Sequence, residues 1–203
     1  MYSGIDSASI QEQVIDIPPV RVVLPRVQGL WNKTIEEKIN LVIEEKVNNI
    51  IRAFGGQRGD LLEMTGGYRV TLNQKGLLSL RFEILSQIKN AAHPITIIRS
   101  LTVDLNTGKV YELYDLFRSM VGHAITITKY ILREVEKQKI PLIIDLKLIP
   151  DNHPYYLTED SLVIYFQEAS LAPRDYGILE FPMPIILLSS LMENPGPLPR
   201  LLK

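Results

Sequence analysis

The sequence predicts an α+β domain: an antiparallel sheet with two main helices packed on it. Three observations carry that prediction. Apolar residues recur at helical spacing from Ile35 to Phe54. They recur again through Phe117, Met120, Val121, Ala124, Ile131 and Val135. Between these runs, alternating apolar residues flank two turn signals, as strands of a half-buried sheet do.

Residues 1–13 read as a flexible tail. The stretch VIDIPPVRVVLPRV, Val14 to Val27, is rich in β-branched residues but broken by proline. Because proline removes a ladder donor, an interrupted edge strand is expected there. The first helix is expected over Thr34–Phe54, with Thr34-x-x-Glu37 as its capping box and Gly55-Gly56 as its stop. Its inner face is Ile35, Ile39, Val42, Ile43, Val47, Ile50, Ile51 and Phe54. A hairpin follows. Tyr68, Val70 and Leu72 lead into Asn73-Gln74-Lys75-Gly76, and Leu78, Leu80, Phe82 and Ile84 lead out. Asn first and Gly fourth suit a type I turn. Ile95–Leu105 and Lys109–Leu113 flank a second turn at Asn106-Thr107-Gly108.

The second helix is expected over Leu116–Lys137, with Asp115 as its N-cap. The β-branched run Ile125-Thr126-Ile127-Thr128 makes a strand its competitor. Ile140–Leu148 reads as extended or irregular. Ser161–Gln167 is a buried strand and Ile178–Met183 a second extended stretch, joined through Ala172-Pro173. Tyr165 and Phe166 are strand neighbours, so one is expected to face the core and the other not. A short helix fits Ile185–Met192, and 193–203 is a proline-rich tail. The organisation expected is one domain over 14–192, or two lobes divided as 14–90 and 91–192.

Composition narrows function. The 203 residues carry 22 basic and 23 acidic side chains, for a net charge of −1. That balance gives no global drive toward nucleic acid or acidic membranes. There is no cysteine, so disulfides, thiolate metal sites and a cysteine nucleophile are excluded. No apolar run approaches the roughly 20 residues of a membrane span. The first residues lack a basic and apolar leader, which predicts a cytoplasmic chain, with spore or envelope association as the alternative.

Motifs for catalysis are weak. His93, His123 and His153 sit in three different elements without metal-ligand spacing, so no metal and no cofactor are expected. Glu159 and Asp160 are adjacent before a strand and point to opposite faces. Gly55-Gly56 and Gly66-Gly67 match no phosphate loop, and no nucleophile elbow is present. Of the aromatic set Tyr155, Tyr156, Tyr165, Phe166, Tyr176 and Phe181, most are expected in the core, with Tyr176 the first candidate for a surface role.

Three blocks carry a resemblance to a known family. They are Pro25–Leu30, then Ala92-His93 followed by TVDLNTGKVYELYDLF from Thr102, then Tyr156–Pro182. The last contains Leu162–Gln167, Ala172-Pro173, Gly177 and Phe181-Pro182. Together they resemble the RsiV-like group, the extracytoplasmic domain of lysozyme-sensing anti-sigma factors, related to the N-terminal domain of PdaC-type peptidoglycan deacetylases. The resemblance implies a non-enzymatic binding domain of the bacterial cell or spore envelope. Its expected partner is a lysozyme-like protein or a peptidoglycan fragment. Two departures stand out. Pro94 occupies a position where the family usually has glycine, and Arg174 stands where it has an aromatic residue. The binding residues this reading selects are His93, Pro94, Pro173, Arg174, Tyr176 and Gly177, all on loops. Two other readings remain: a self-associating structural protein, and, ranked last, a cell-wall glycan hydrolase or deacetylase-like enzyme using Glu159, Asp160 or His93.

Overall fold

The computed structural model describes residues 4–55, 59–118 and 120–202. The chain divides into two compact units, Met1–Lys109 and Val110–Lys203.

The first unit is a five-stranded sheet in the order β1-β2-β3-β4-β5 with one long helix. Strands β1 (Ser9–Ile17) and β2 (Val20–Gln28) form an antiparallel hairpin closed by Pro18-Pro19. The expected single broken strand is thus two strands, because the prolines supply the turn between them. Strand β1 also begins inside the segment expected to be a loose tail. Pro25 lies in β2 beyond the three residues that pair with β3. It shares a side of the strand with Val27, whose amide is served by a side chain rather than a neighbouring strand. Val27 N–H donates to Asn40 Oδ1 at 2.8 Å, and Asn40 Nδ2 donates back to the Val27 carbonyl at 2.9 Å. Asn40 is buried, so this one amide completes the strand's hydrogen bonding where the ladder stops.

Helix α1 (Lys33–Gly55) is the crossover that a parallel β2–β3 pairing needs. Its cap is Asn32, whose Oδ1 accepts from the Thr34 and Ile35 amides at 3.0 and 3.2 Å. Thr34 therefore lies inside the helix and does not cap it. Glu36, not Glu37, reaches back and accepts from the Leu30 amide at 2.8 Å. Partial burial opposes the charged form of Glu36, but Lys33 and the Leu30 and Gly29 amides outweigh it and hold the carboxyl below its usual range. The predicted stop at Gly56 lies outside the described residues. On the inner face, Ile39, Ile43 and Val47 are fully buried with Val22, Leu80, Phe82 and Ile84.

Strands β3 (Leu61–Gln74) and β4 (Leu77–Ile88) form the predicted hairpin, but its turn is different. Gln74 pairs with Leu77, leaving Lys75 and Gly76 at φ 52° and 73°. Two central residues at positive φ define a type I′ turn, whose twist matches that of the strands it joins. Strand β5 (Ile95–Asp104) is antiparallel to β4. Lys109–Leu113 is not a sheet strand; Leu113 instead opens a 3-10 turn, Leu113–Leu116. The sheet is consequently mixed rather than wholly antiparallel.

The second unit contains α2 (Met120–Gln138) and a three-stranded sheet of β6 (Tyr155–Leu157), β7 (Ser161–Phe166) and β8 (Leu179–Pro184). Asp115 does not cap α2. It lies in the 3-10 turn, where its carboxylate accepts from the Glu112 amide at 3.0 Å. The β-branched run is helical. Thr126 and Thr128 donate their hydroxyls to the carbonyls of Gly122 and Ala124, at 3.0 and 2.7 Å, so the helix absorbs both polar groups. Thr128 Oγ1 also accepts from the Ile149 amide at 3.0 Å, tying the irregular 139–154 segment to α2. Tyr130 joins α2 to β8 through a 2.7 Å bond to the Pro182 carbonyl.

After β8 come a 3-10 turn, Ile185–Leu188, and a short helix α3, Pro197–Leu201. Leu198 and Leu201 are buried, so the segment expected as a proline-rich tail has an anchored end. Among the described residues, no helix is long and apolar enough to cross a membrane.

Candidate functional site

The residues singled out for binding fall on two loops, one in each unit. His93 and Pro94 lie in the β4–β5 loop of the first unit and are exposed. That loop is shaped by Asn90 at φ 65° and by the Ala91 amide donating to the Ile88 carbonyl at 3.1 Å. Pro173, Arg174, Tyr176 and Gly177 lie in the β7–β8 loop of the second unit, residues 167–178.

The β7–β8 loop is held from beneath. Leu171 and Ala172 are buried, and the Leu171 carbonyl accepts from the Ile143 amide at 3.0 Å. The Ser170 amide and hydroxyl both reach the Gln167 carbonyl, at 3.1 and 2.6 Å. Beyond this anchor, Arg174–Tyr176 makes a single 3-10 turn. The Tyr176 amide bonds the Pro173 carbonyl at 3.0 Å, and the Gly177 amide bonds the Arg174 carbonyl at 2.8 Å. Gly177 then leaves the turn at φ 62°, ψ −145°, a conformation open to glycine almost alone.

The side chains this loop presents are Arg174, Asp175 and Tyr176, with Tyr176 44% exposed. Arg174 is braced across the loop by Glu168, Nε to Oε1 at 2.8 Å and Nη2 to Oε2 at 3.4 Å. A half-exposed ion pair of this kind contributes little to stability. Its two-point geometry does fix where the guanidinium lies. Together Glu168, Arg174 and Asp175 leave the loop with an excess negative charge.

The rest of the aromatic set is structural. Tyr155, Tyr156, Tyr165, Phe166 and Phe181 are all buried. The expectation that one of Tyr165 and Phe166 faces outward is corrected here. Phe166 is covered by His153, with ring centroids 4.6 Å apart, and meets Phe181 edge-on at 5.9 Å. The segment before β6 thus buries the second side of the strand. His153 Nε2 lies 3.1 Å from the Tyr165 carbonyl, which requires the proton on that nitrogen. Burial lowers its pKa against the opposing pull of that carbonyl. His123, in α2, is fully buried and stacks on Phe117 at 4.6 Å with Nε2 3.9 Å from Asp151 Oδ1.

The hydrolase candidates fall in different units. His93 is in the first, and Glu159 and Asp160 are in the second, where Asp160 accepts from Ser161 at 2.8 Å and Thr158 at 3.3 Å. Among the described residues no group of three or more His, Asp or Glu is placed to hold a metal ion.

Sequence reasoning missed one feature. A depression of about 360 Å³ lies on the β3–β4 face of the first unit, lined by Gly67, Arg69, Arg81, Glu83 and Leu85 among others. Its signal was Gly66-Gly67, weighed only as a phosphate loop and never as paired glycines inside a strand.

The geometry defines a two-unit α+β domain that presents buttressed loops. Comparison with known proteins supports the fold. Residues 114–185, all within the second unit, match the family described as a protein of unknown function, DUF3298. The chain is 26% identical over 193 residues to the anti-sigma-V factor RsiV of Bacillus subtilis, covering 87% of this chain and 66% of that protein's length. A DUF3298-family structure from Bacteroides fragilis superimposes with a TM-score of 0.66 at 14% identity, covering 97% of this chain and 98% of that one. One from Pseudomonas aeruginosa gives 0.60, also at 14% identity, over 97% and 95%. The second unit thus resembles the DUF3298 family, and the chain as a whole is similar in sequence to RsiV.

Proposed function

We propose that the protein is a non-enzymatic binding domain of the bacterial cell or spore envelope, and that it recognises a protein partner through the β7–β8 loop. The observation that carries this reading is the construction of that loop. A buried Leu171-Ala172 base, the Arg174–Glu168 brace and the glycine-only geometry at Gly177 fix three exposed side chains in place. Binding benefits when the presented groups are ordered beforehand, because less conformational entropy is lost on contact. Tyrosine and arginine are also the residue types that most often carry interface energy. The excess negative charge favours a basic partner. The similarity to an anti-sigma factor supports a regulatory rather than catalytic role.

A c-type lysozyme is the partner to test first, with a peptidoglycan fragment second. Light scattering on the eluted mixture of the two proteins should show a one-to-one complex. A chitin oligomer that fills the lysozyme cleft should dissolve it. Separate elution at every ratio would remove lysozyme as the partner. Concentration-dependent growth of the protein alone would instead favour the self-associating reading.

A further inference from the structure

Strand β3 holds two adjacent glycines in opposite situations. A Cβ on Gly66 would lie 2.4 Å from the Glu83 carbonyl oxygen and 2.7 Å from Ile84 Cα, so packing alone excludes a side chain. A Cβ on Gly67 would meet nothing nearer than Val23 Cβ at 3.9 Å, an ordinary contact. Its φ is not positive either. Neither packing nor backbone conformation requires glycine at 67. Glycine weakens a strand interior, and where the fold does not demand it, it marks a point where a ligand or another backbone comes close.

The ladder shows what surrounds this gap. Gly67 lies opposite Glu83, Arg69 opposite Arg81, and Thr65 opposite Leu85. All six positions share one face of the sheet, since side chains alternate along each strand. There they border the 360 Å³ depression. Arg81 is buried, 8% exposed, and ion-paired with Glu83. Arg69, directly across the ladder, makes no ion pair among the described residues. Like charges facing each other across a ladder are unfavourable. The lining holds these two guanidinium groups and one carboxylate, Glu83, which pairs with Arg81, so it keeps a net positive charge.

We propose that this depression binds a small carboxylate-bearing ligand. The ligand's carboxylate lies between Arg69 and Arg81, and its body rests over Gly67 and Leu85. Guanidinium groups match planar carboxylates through paired hydrogen bonds. The volume is at the small end for ligand sites, suited to one sugar ring or a dipeptide. The ligand's negative charge would offset the net positive charge of the lining and give Arg69 an anionic partner. This site belongs to the first unit and does not depend on the β7–β8 loop reading.

The test is a titration of the isotope-labelled protein, followed by amide chemical shifts. Three probes are used: N-acetylmuramic acid, N-acetylglucosamine, which lacks the carboxylate, and N-acetyl-D-alanyl-D-alanine. A carboxylated probe should saturably shift the amides of residues 65–69 and 81–85, while N-acetylglucosamine should not. A response to the sugar acid alone identifies an acidic sugar as the source, and one to the dipeptide alone a peptide carboxyl terminus. Arg69→Gln, at an exposed position, should weaken binding about tenfold or more. Gly67→Val, which places a branched side chain where the ligand's body would rest, should abolish binding. Should Gly67→Val fold poorly, Arg69→Gln decides alone. No shift with either carboxylated probe, an equal response to N-acetylglucosamine, or binding that survives Arg69→Gln would overturn the proposal. These readings use the protein without lysozyme, so they stand or fall separately from the loop's role.

Discussion

Replacing Gly177 by alanine isolates one of the features that hold the β7–β8 loop in shape. The residue sits at φ 62°, ψ −145°. Nothing lies within 4 Å of the position a Cβ would take, so the substitution creates no clash. The whole cost is backbone strain, about 1–3 kcal/mol for an L-residue held in a region reserved for glycine. Two responses are available to the chain. If the anchored base holds, the strain persists and the denaturation midpoint falls by that amount. If the loop relaxes, stability recovers, and the 3-10 turn that presents Arg174, Asp175 and Tyr176 is lost. Urea unfolding at constant slope reads the first response, and affinity for an identified partner reads the second. A variant with wild-type midpoint and wild-type affinity would refute the reasoning, because the strain would then have gone nowhere.

Three further substitutions test the scaffold. Asn40→Ala leaves the Val27 amide and carbonyl buried without their partner, and should cost about 2–4 kcal/mol in urea unfolding. Asn32→Ala removes the α1 cap and should cost about 1 kcal/mol by the same assay. His153 is held neutral by burial, so its folded pKa lies below its unfolded value. Its contribution is therefore complete above the unfolded pKa of about 6.5 and is lost as pH falls from there toward the folded pKa. His153→Gln should flatten that part of the stability–pH curve. A curve unchanged by the substitution would mean that other groups produce the acid sensitivity.

How much could be read from sequence depended on whether the signal was local. The inner face of α1 was legible because eight apolar residues keep helical spacing, and β7 because Leu162–Phe166 is an unbroken apolar run. The β1–β2 hairpin was not, because Pro18-Pro19 reads equally as a strand break and as a turn. The β3–β4 turn was misread in type because Lys75 at positive φ has no compositional signature; only Gly76 does. The cap was placed two residues late because Thr34 and Asn32 are both good cap residues, and the structure alone shows whose oxygen faces the free amides. One of Tyr165 and Phe166 was expected outside because alternation assumes a strand with one open face, and the non-local cover of Phe166 by His153 removes that face.

The candidate sites divide in the same way. Tyr176 and Gly177 were visible as loop residues beside a buried strand. The brace between Arg174 and Glu168 was not, since no rule of spacing pairs residues six apart across an irregular loop. The arginine pair in the first unit was hidden for another reason. Arg69 and Arg81 become neighbours only through the hairpin register, and the bulge between Val70 and Leu72 shifts that register from the one the turn alone would suggest. Gly67 gains its meaning only beside Gly66, where a Cβ would have no room.

The most direct test of the account is a calorimetric titration of c-type lysozyme into the wild-type protein and into the double variant Arg174→Ala, Tyr176→Ala. The account predicts saturable one-to-one binding to the wild type, and binding weakened by about tenfold or more in the variant. Equal binding to both proteins would contradict the assignment of recognition to the β7–β8 loop. An absence of heat with the wild type, confirmed by separate elution, would contradict lysozyme as the partner.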